Sequence, residues 1–72
     1  MDSKHNIGIR IRELRKIRNL TQEDLSFECD FEKSFLSQIE NGKQNIEVKT
    51  LEKICKGLNV SFRFFFDCKL FE

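Results

Sequence analysis

Lys33, Ser34, Ser37 and Gln38 place four hydrogen-bonding side chains within one short stretch of chain. At about 100° per residue in a helix, these positions make one contiguous polar face. The chemistry open to such a face is recognition. Glutamine can make paired hydrogen bonds to adenine N6 and N7, lysine can reach guanine O6 and N7, and serine can serve several bases. Core packing asks for none of these residue types there. A plain solvated face on a small helical bundle has the same composition, so the surroundings must decide between the two.

Covalent and metal chemistry have little to work with. His5 is the single histidine, expected in a frayed and solvated terminus, where it makes a poor general base. Cys29, Cys55 and Cys68 form no CxxC or Cys/His spacing of the kind zinc requires, and three thiols cannot all pair within one chain. They read as reduced cysteines, with Cys29 and Cys55 at helical core spacing as small hydrophobes. No Ser/His or Cys/His pairing falls on predicted loops, and no glycine motif suits phosphate cradling. No enzymatic activity, metal, cofactor or small-molecule ligand is expected.

The elements that must carry the polar face follow from hydrophobic period and caps. Ile7, Ile11 and Leu14 recur at i, i+4 and i+7 and predict a first helix from Asn6, its expected N-cap, to Arg18. Arg10, Arg12, Arg15, Lys16 and Arg18 occupy its other faces. Thr21 caps a second helix that begins at Gln22, with Leu25 and Cys29 inward. Cys29 to Glu32 is a break too short to be a linker, so residues 33–41 must turn sharply against helix two. Leu36 and Ile39 point inward there, and Asn41-Gly42 ends the helix. Val48, Leu51, Ile54, Cys55 and Leu58 predict a fourth helix over 48–58 that stops at Asn59. Ser61 caps a short fifth.

An all-α, five-helix fold in a single domain, 1–72, is the result, since 72 residues leave no room for a second core. No apolar run reaches the roughly 20 residues of a membrane span, and no h-region marks export, so a cytoplasmic protein without membrane partners is expected. Net charge is only +1. Its distribution says more, with basic segments flanking an acidic middle. Two short helices joined by a tight turn, the second with a polar outer face, have the layout that inserts a helix into a DNA major groove.

The stretch Ile7-Gly8, Arg12-Glu13-Leu14-Arg15, Leu20-Thr21-Gln22-Glu23-Asp24-Leu25, Leu36-Ser37-Gln38-Ile39-Glu40-Asn41-Gly42-Lys43, Thr50-Leu51-Glu52-Lys53-Ile54 and Leu58-Asn59-Val60-Ser61 resembles the phage repressor/Cro-type (XRE) helix-turn-helix family. Several motifs in register cover nearly the whole chain. The resemblance implies a bacterial or phage-encoded transcription regulator that binds a palindromic double-stranded DNA operator as a homodimer. It assigns Lys33, Ser34, Ser37 and Gln38 to base reading, and Gln22, Asn41 and Lys43 to phosphate contact. Arg15 and Glu40 match a family ion pair that ties helix one to the recognition helix. Asp30 departs from the usual turn glycine and Ile46 from a frequent proline; aspartate tolerates the left-handed conformation, so the turn should survive.

Asn45-Ile46-Glu47, Lys56-Gly57-Leu58 and the aromatic end look similar to the controller proteins of restriction-modification systems. The segment 61–72 holds more large apolar groups than a small core can bury, so Phe66, Leu70 and Phe71 are expected at the dimer interface. Phe62 and Phe65 match the family's inward positions. Glu23, Asp24 and Glu28 offer an acidic patch through which RNA polymerase could be a further partner. The competing class is a protein-interaction module, an antitoxin-like or anti-repressor helical bundle that never reads DNA. DNA titration against rising salt separates the two.

Overall fold

Helix ends in this chain are set by small polar side chains. In the computed structural model, which describes residues 2–72, Asp2 caps α1 (Ser3–Ile17) by accepting a hydrogen bond from the His5 amide at 3.2 Å. The helix therefore starts before Asn6, and His5 is helical, not frayed. Aspartate serves as an N-cap as well as asparagine does. Asn6 is released to donate from Nδ2 to the Leu70 carbonyl at 2.9 Å.

Thr21 starts α2 (Gln22–Cys29) with a capping box: the Asp24 amide donates to Thr21 Oγ1, and the Thr21 amide to Asp24 Oδ2, each at 3.0 Å. Asp30 ends it at φ 59° and ψ 42°, the left-handed conformation expected of it. The Phe31 amide then donates to the Ser26 carbonyl at 2.8 Å, which closes the turn. α3 (Lys33–Glu40) follows at once, with Asn41 as C-cap and Gly42 at φ +72°. α4 (Val48–Leu58) stops at Asn59, also left-handed, and Ser61 caps α5 (Phe62–Phe66) through the Phe64 amide. A 3-10 turn over Lys69–Phe71 ends the chain, and there is no strand among the described residues.

The core lies where the five helices converge: Ile11 and Leu14 of α1, Leu25 and Cys29 of α2, Leu36 and Ile39 of α3, Leu51, Ile54, Cys55 and Leu58 of α4, and Phe65 of α5. Burial of such side chains is the main favourable term in folding. Ile46, in the place of the frequent proline, packs against this core. Val48 does not, being 69% exposed. Helical period sets a side chain's direction but not how far along the axis a neighbour packs, and the buried stripe starts one turn later, at Leu51.

Gly8 brings α1 and α3 together. A Cβ there would lie 2.5 Å from the Glu40 carbonyl oxygen and 2.6 Å from that of Ile39. Only a residue without a side chain lets the two backbones approach this closely. The contact holds the C-terminal half of α3 against α1 and so fixes the direction its outer face points.

Candidate nucleic-acid interface

On α3, Leu36, Ile39 and Glu40 are buried, while Lys33, Ser34 and Gln38 are exposed and Ser37 is half-buried. The four base-reading candidates thus share the surface that α3 turns away from the core. Gln22, at the start of α2, and Lys33 line one open groove with Lys16 and Thr21. Since Thr21 caps the Asp24 amide, the Gln22 and Glu23 amides remain as donors at the α2 N-terminus. A phosphate placed there would meet amide hydrogens at the positive end of the helix dipole.

Glu40 organises the inner side of this surface. Its side chain is fully buried. Arg15 grips it with Nε on Oε2 at 2.8 Å and Nη2 on Oε1 at 3.0 Å, and gives its remaining nitrogen, Nη1, to the Leu20 carbonyl at 2.8 Å. Gln22 Nε2 donates to Glu40 Oε1 at 3.2 Å, and Arg12 Nε reaches the same oxygen at 3.5 Å. One buried carboxylate therefore ties α1, α2 and α3 together and orients Gln22. A second nitrogen of Arg12 donates to Asn41 Oδ1 at 3.0 Å, which leaves the Asn41 amide hydrogens outward. Lys43 is exposed just beyond.

Sequence reasoning missed three participants. Arg12 sits three residues before Arg15, a spacing that shares a helix face and could have flagged it. Gln44, whose Nε2 donates to Gln38 Oε1 at 2.8 Å, had no sequence signal. Arg10 was assigned to an outer face and is instead buried: Nε and Nη2 donate to the Phe65 and Phe64 carbonyls at 2.7 and 2.9 Å. Those carbonyls close α5; the Phe64 carbonyl also accepts from the Asp67 amide at 3.2 Å, and Arg10 adds a second donor to it. Arg18 likewise donates to the Leu58 carbonyl at the end of α4. Arg10 and Arg15 of α1 thus spend their charge on partners within the fold, while Lys16 stays exposed.

At the C-terminal end, Phe65 is buried and Phe66 packs edge-on against both Phe65 and Phe71, with centroids 5.0 and 4.8 Å apart. Phe71 and Leu70 are half-buried, and Phe71 packs against the core. Phe62, placed inward by its family position, is 38% exposed, beside Phe66 at 37% and Phe64 at 53%. A five-residue helix can turn only one of its aromatic faces inward, and Phe65 fills that space.

A tight α2–α3 turn, a buried carboxylate locking α3 to α1 and a polar outer face on α3 define a small helix-turn-helix protein of the phage-repressor kind. Residues 11–65 match the family described as Helix-turn-helix, HTH_3, and the chain belongs to it. Control protein C.BamHI of Bacillus amyloliquefaciens is 41% identical over 54 residues, 74% of this chain and 67% of that protein. Control protein C.MunI of a Mycoplasma species is 38% identical over 61 residues, 83% and 82% of the two chains. Among solved structures, the restriction-modification controller protein C.Esp1396I, as a tetramer in complex with its natural 35-base-pair operator, superposes with a TM-score of 0.84 at 35% identity, covering 88% of this chain and 83% of that one.

Proposed function

We propose that this chain is a sequence-specific, double-stranded DNA-binding transcription regulator that controls restriction-modification genes from an operator, in the cytoplasm. The observation that carries the reading is the two-sided character of α3, polar and exposed at Lys33, Ser34 and Gln38, anchored behind by buried Leu36, Ile39 and Glu40. Likeness to controller proteins, one of them solved on its operator, supports the choice of ligand. α3 enters the major groove, Lys33, Ser34, Ser37 and Gln38 meet base edges, and Gln22, Asn41 and Lys43 meet phosphates on either side.

A homodimer follows from the exposed aromatic end. Phe62 and Phe66 of α5 meet edge-on and form an apolar surface that a two-fold partner would cover, with Phe71 against Phe66, half-buried Leu70 preceding it in the chain, and exposed Phe64 apart from them, its ring under Arg10. Pairing would set two α3 helices about 34 Å apart, as a palindromic operator needs. RNA polymerase would be met through Glu23, Asp24 and Glu28, all exposed on α2.

The test is a fluorescence titration of the protein against the DNA upstream of its own gene and against random duplex, each repeated at rising salt. Tighter binding to the upstream DNA, with a steep salt dependence on both, is the expected result. Equal affinity for the two would overturn sequence-specific recognition, and no binding to either would overturn the assignment in favour of a protein-interaction module.

A further inference from the structure

We propose that Gln44 is a positioning residue that holds the Gln38 amide in one base-reading orientation and thereby sets sequence preference at the base pair Gln38 meets. The inference rests on α3 being the DNA-reading helix. Left alone, an exposed glutamine samples several rotamers and both orientations of its amide, and ordering it on DNA costs binding free energy. Here Gln44 Nε2 donates to Gln38 Oε1 at 2.8 Å before any DNA arrives.

The backbone makes this contact a consequence of how α3 ends. Gly42, at φ +72°, reverses the chain; the Gly42 amide donates to the Ile39 carbonyl at 3.1 Å and the Lys43 amide to the Gln38 carbonyl at 2.9 Å. The loop is thus pinned to Gln38 itself, and the next side chain along, Gln44, falls over the Gln38 side chain. Gln44 is half-buried whereas Gln38 is exposed, so the holder has less freedom than the group it holds.

The consequence is a held side chain. Gln38 Oε1 carries two lone pairs, of which Gln44 engages one, so the other and both Nε2 hydrogens remain for DNA. One end of the Gln38 amide is thus held on the loop side and the other is presented outward. Adenine presents an N6 donor and an N7 acceptor side by side, and only one orientation of the amide matches them for a given strand direction. Gln44 therefore fixes where the Gln38 amide meets a base edge, and that amide reverses only if both side chains turn together.

An operator selected from a random-sequence duplex library provides the test, with the base pair opposite Gln38 located by Gln38→Ala. Affinities are measured for the unmodified chain, Q38A, Q44A, Q44E and the Q38A/Q44A double variant, on the selected operator, on versions altered at that base pair and on random duplex. Glutamate at 44 keeps the shape but removes the donor. Expected are about a three- to tenfold loss of discrimination at that base pair in Q44A and Q44E, unchanged affinity for random duplex in Q44A but weaker binding of every duplex by Q44E, whose added charge the phosphates repel, and no further loss when Q44A is added to Q38A. Undiminished discrimination in Q44A and Q44E, equal losses on random duplex in Q44A, or additive losses in the double variant would overturn the role of Gln44. If Q38A itself costs nothing at any operator position, the base-reading assignment falls; if Q38A costs affinity and Q44A does not, only the present inference falls.

Discussion

Arg15 and the buried carboxylate of Glu40 meet through two parallel hydrogen bonds, 2.8 and 3.0 Å long, across the α1–α3 boundary. Such fork-to-fork pairing is the strong form of a charge-assisted contact, and lysine could not reproduce it. Desolvation offsets much of the attraction in an intact buried pair, so its larger consequence appears when one partner is lost. Arg15→Ala should destabilise the fold by about 3 kcal/mol, somewhat less than a wholly orphaned charge, because Arg12 and Gln22 still reach Glu40. Urea unfolding of Arg15→Ala, Glu40→Gln and the double variant would measure the coupling. A cycle that closes to zero would show that the pair is structurally idle.

Base readers and backbone contacts should separate in their response to DNA sequence. Replacing Gln38 or Lys33 by alanine should cost about 1–3 kcal/mol on the cognate operator and much less on random duplex. Lys43→Ala should weaken every sequence similarly and lower the salt slope by about one. Gln22→Ala should also weaken all sequences, and it removes a donor to Glu40, so a drop in melting temperature should accompany the loss.

Truncating Phe66 should yield a folded protein whose dimer is weaker, because Phe66 is more than a third exposed. Phe62→Ala should act in the same direction. Phe71→Ala should lower stability as well as dimerisation, since that ring packs against Phe65 and Phe66. Leu70→Ala, at a half-buried position, should fall between the two. Sedimentation equilibrium at micromolar concentration checks this, and a chain that is monomeric without any substitution would dismiss the interface.

Gly8→Ala should destabilise by about 1–3 kcal/mol, the usual range for overpacking, because the added carbon would meet backbone oxygens that have no rotamer to escape into. Gly57→Ala should cost less. Its nearest atoms, Cys29 Sγ and Leu25 Cδ1 at 3.0 Å, belong to side chains that can shift. Similar melting temperatures for the two variants would contradict the argument.

The thiols of Cys29 and Cys55 are each pushed up to about 11 from an ordinary 9.0, by burial above all, then by the Glu28 charge at Cys29 and by Cys29 at Cys55. The folded state thus keeps these protons at a pH where the unfolded chain has released them. Their contribution to stability is complete below about 9 and is lost as pH rises through about 11. The urea midpoint should fall across that window, and a Cys29→Ala, Cys55→Ala variant should lose this part of the slope. At pH 8, iodoacetamide should modify half-exposed Cys68 and reach the other two only in denaturant.

The helices, their order and the polar face of α3 were legible in the sequence, because apolar spacing and caps are local properties. Thr21, Ser61 and Asn59 mark ends by chemistry that acts within one turn, and each performs that role in the fold. Family likeness then followed from motifs held in register. Tertiary structure alone decided where the arginines find acceptors: buried Arg10 finds its own 55 residues away, at the end of α5, and exposed Arg18 finds its own 40 residues away. It also decided that Val48 stays outside, that Phe62 is left exposed, and that Gln44 lies on Gln38. Period within a helix states which way a side chain points. What waits there is set by another helix, whose terminal carbonyls and apolar surface carry no trace in the local spacing of residues.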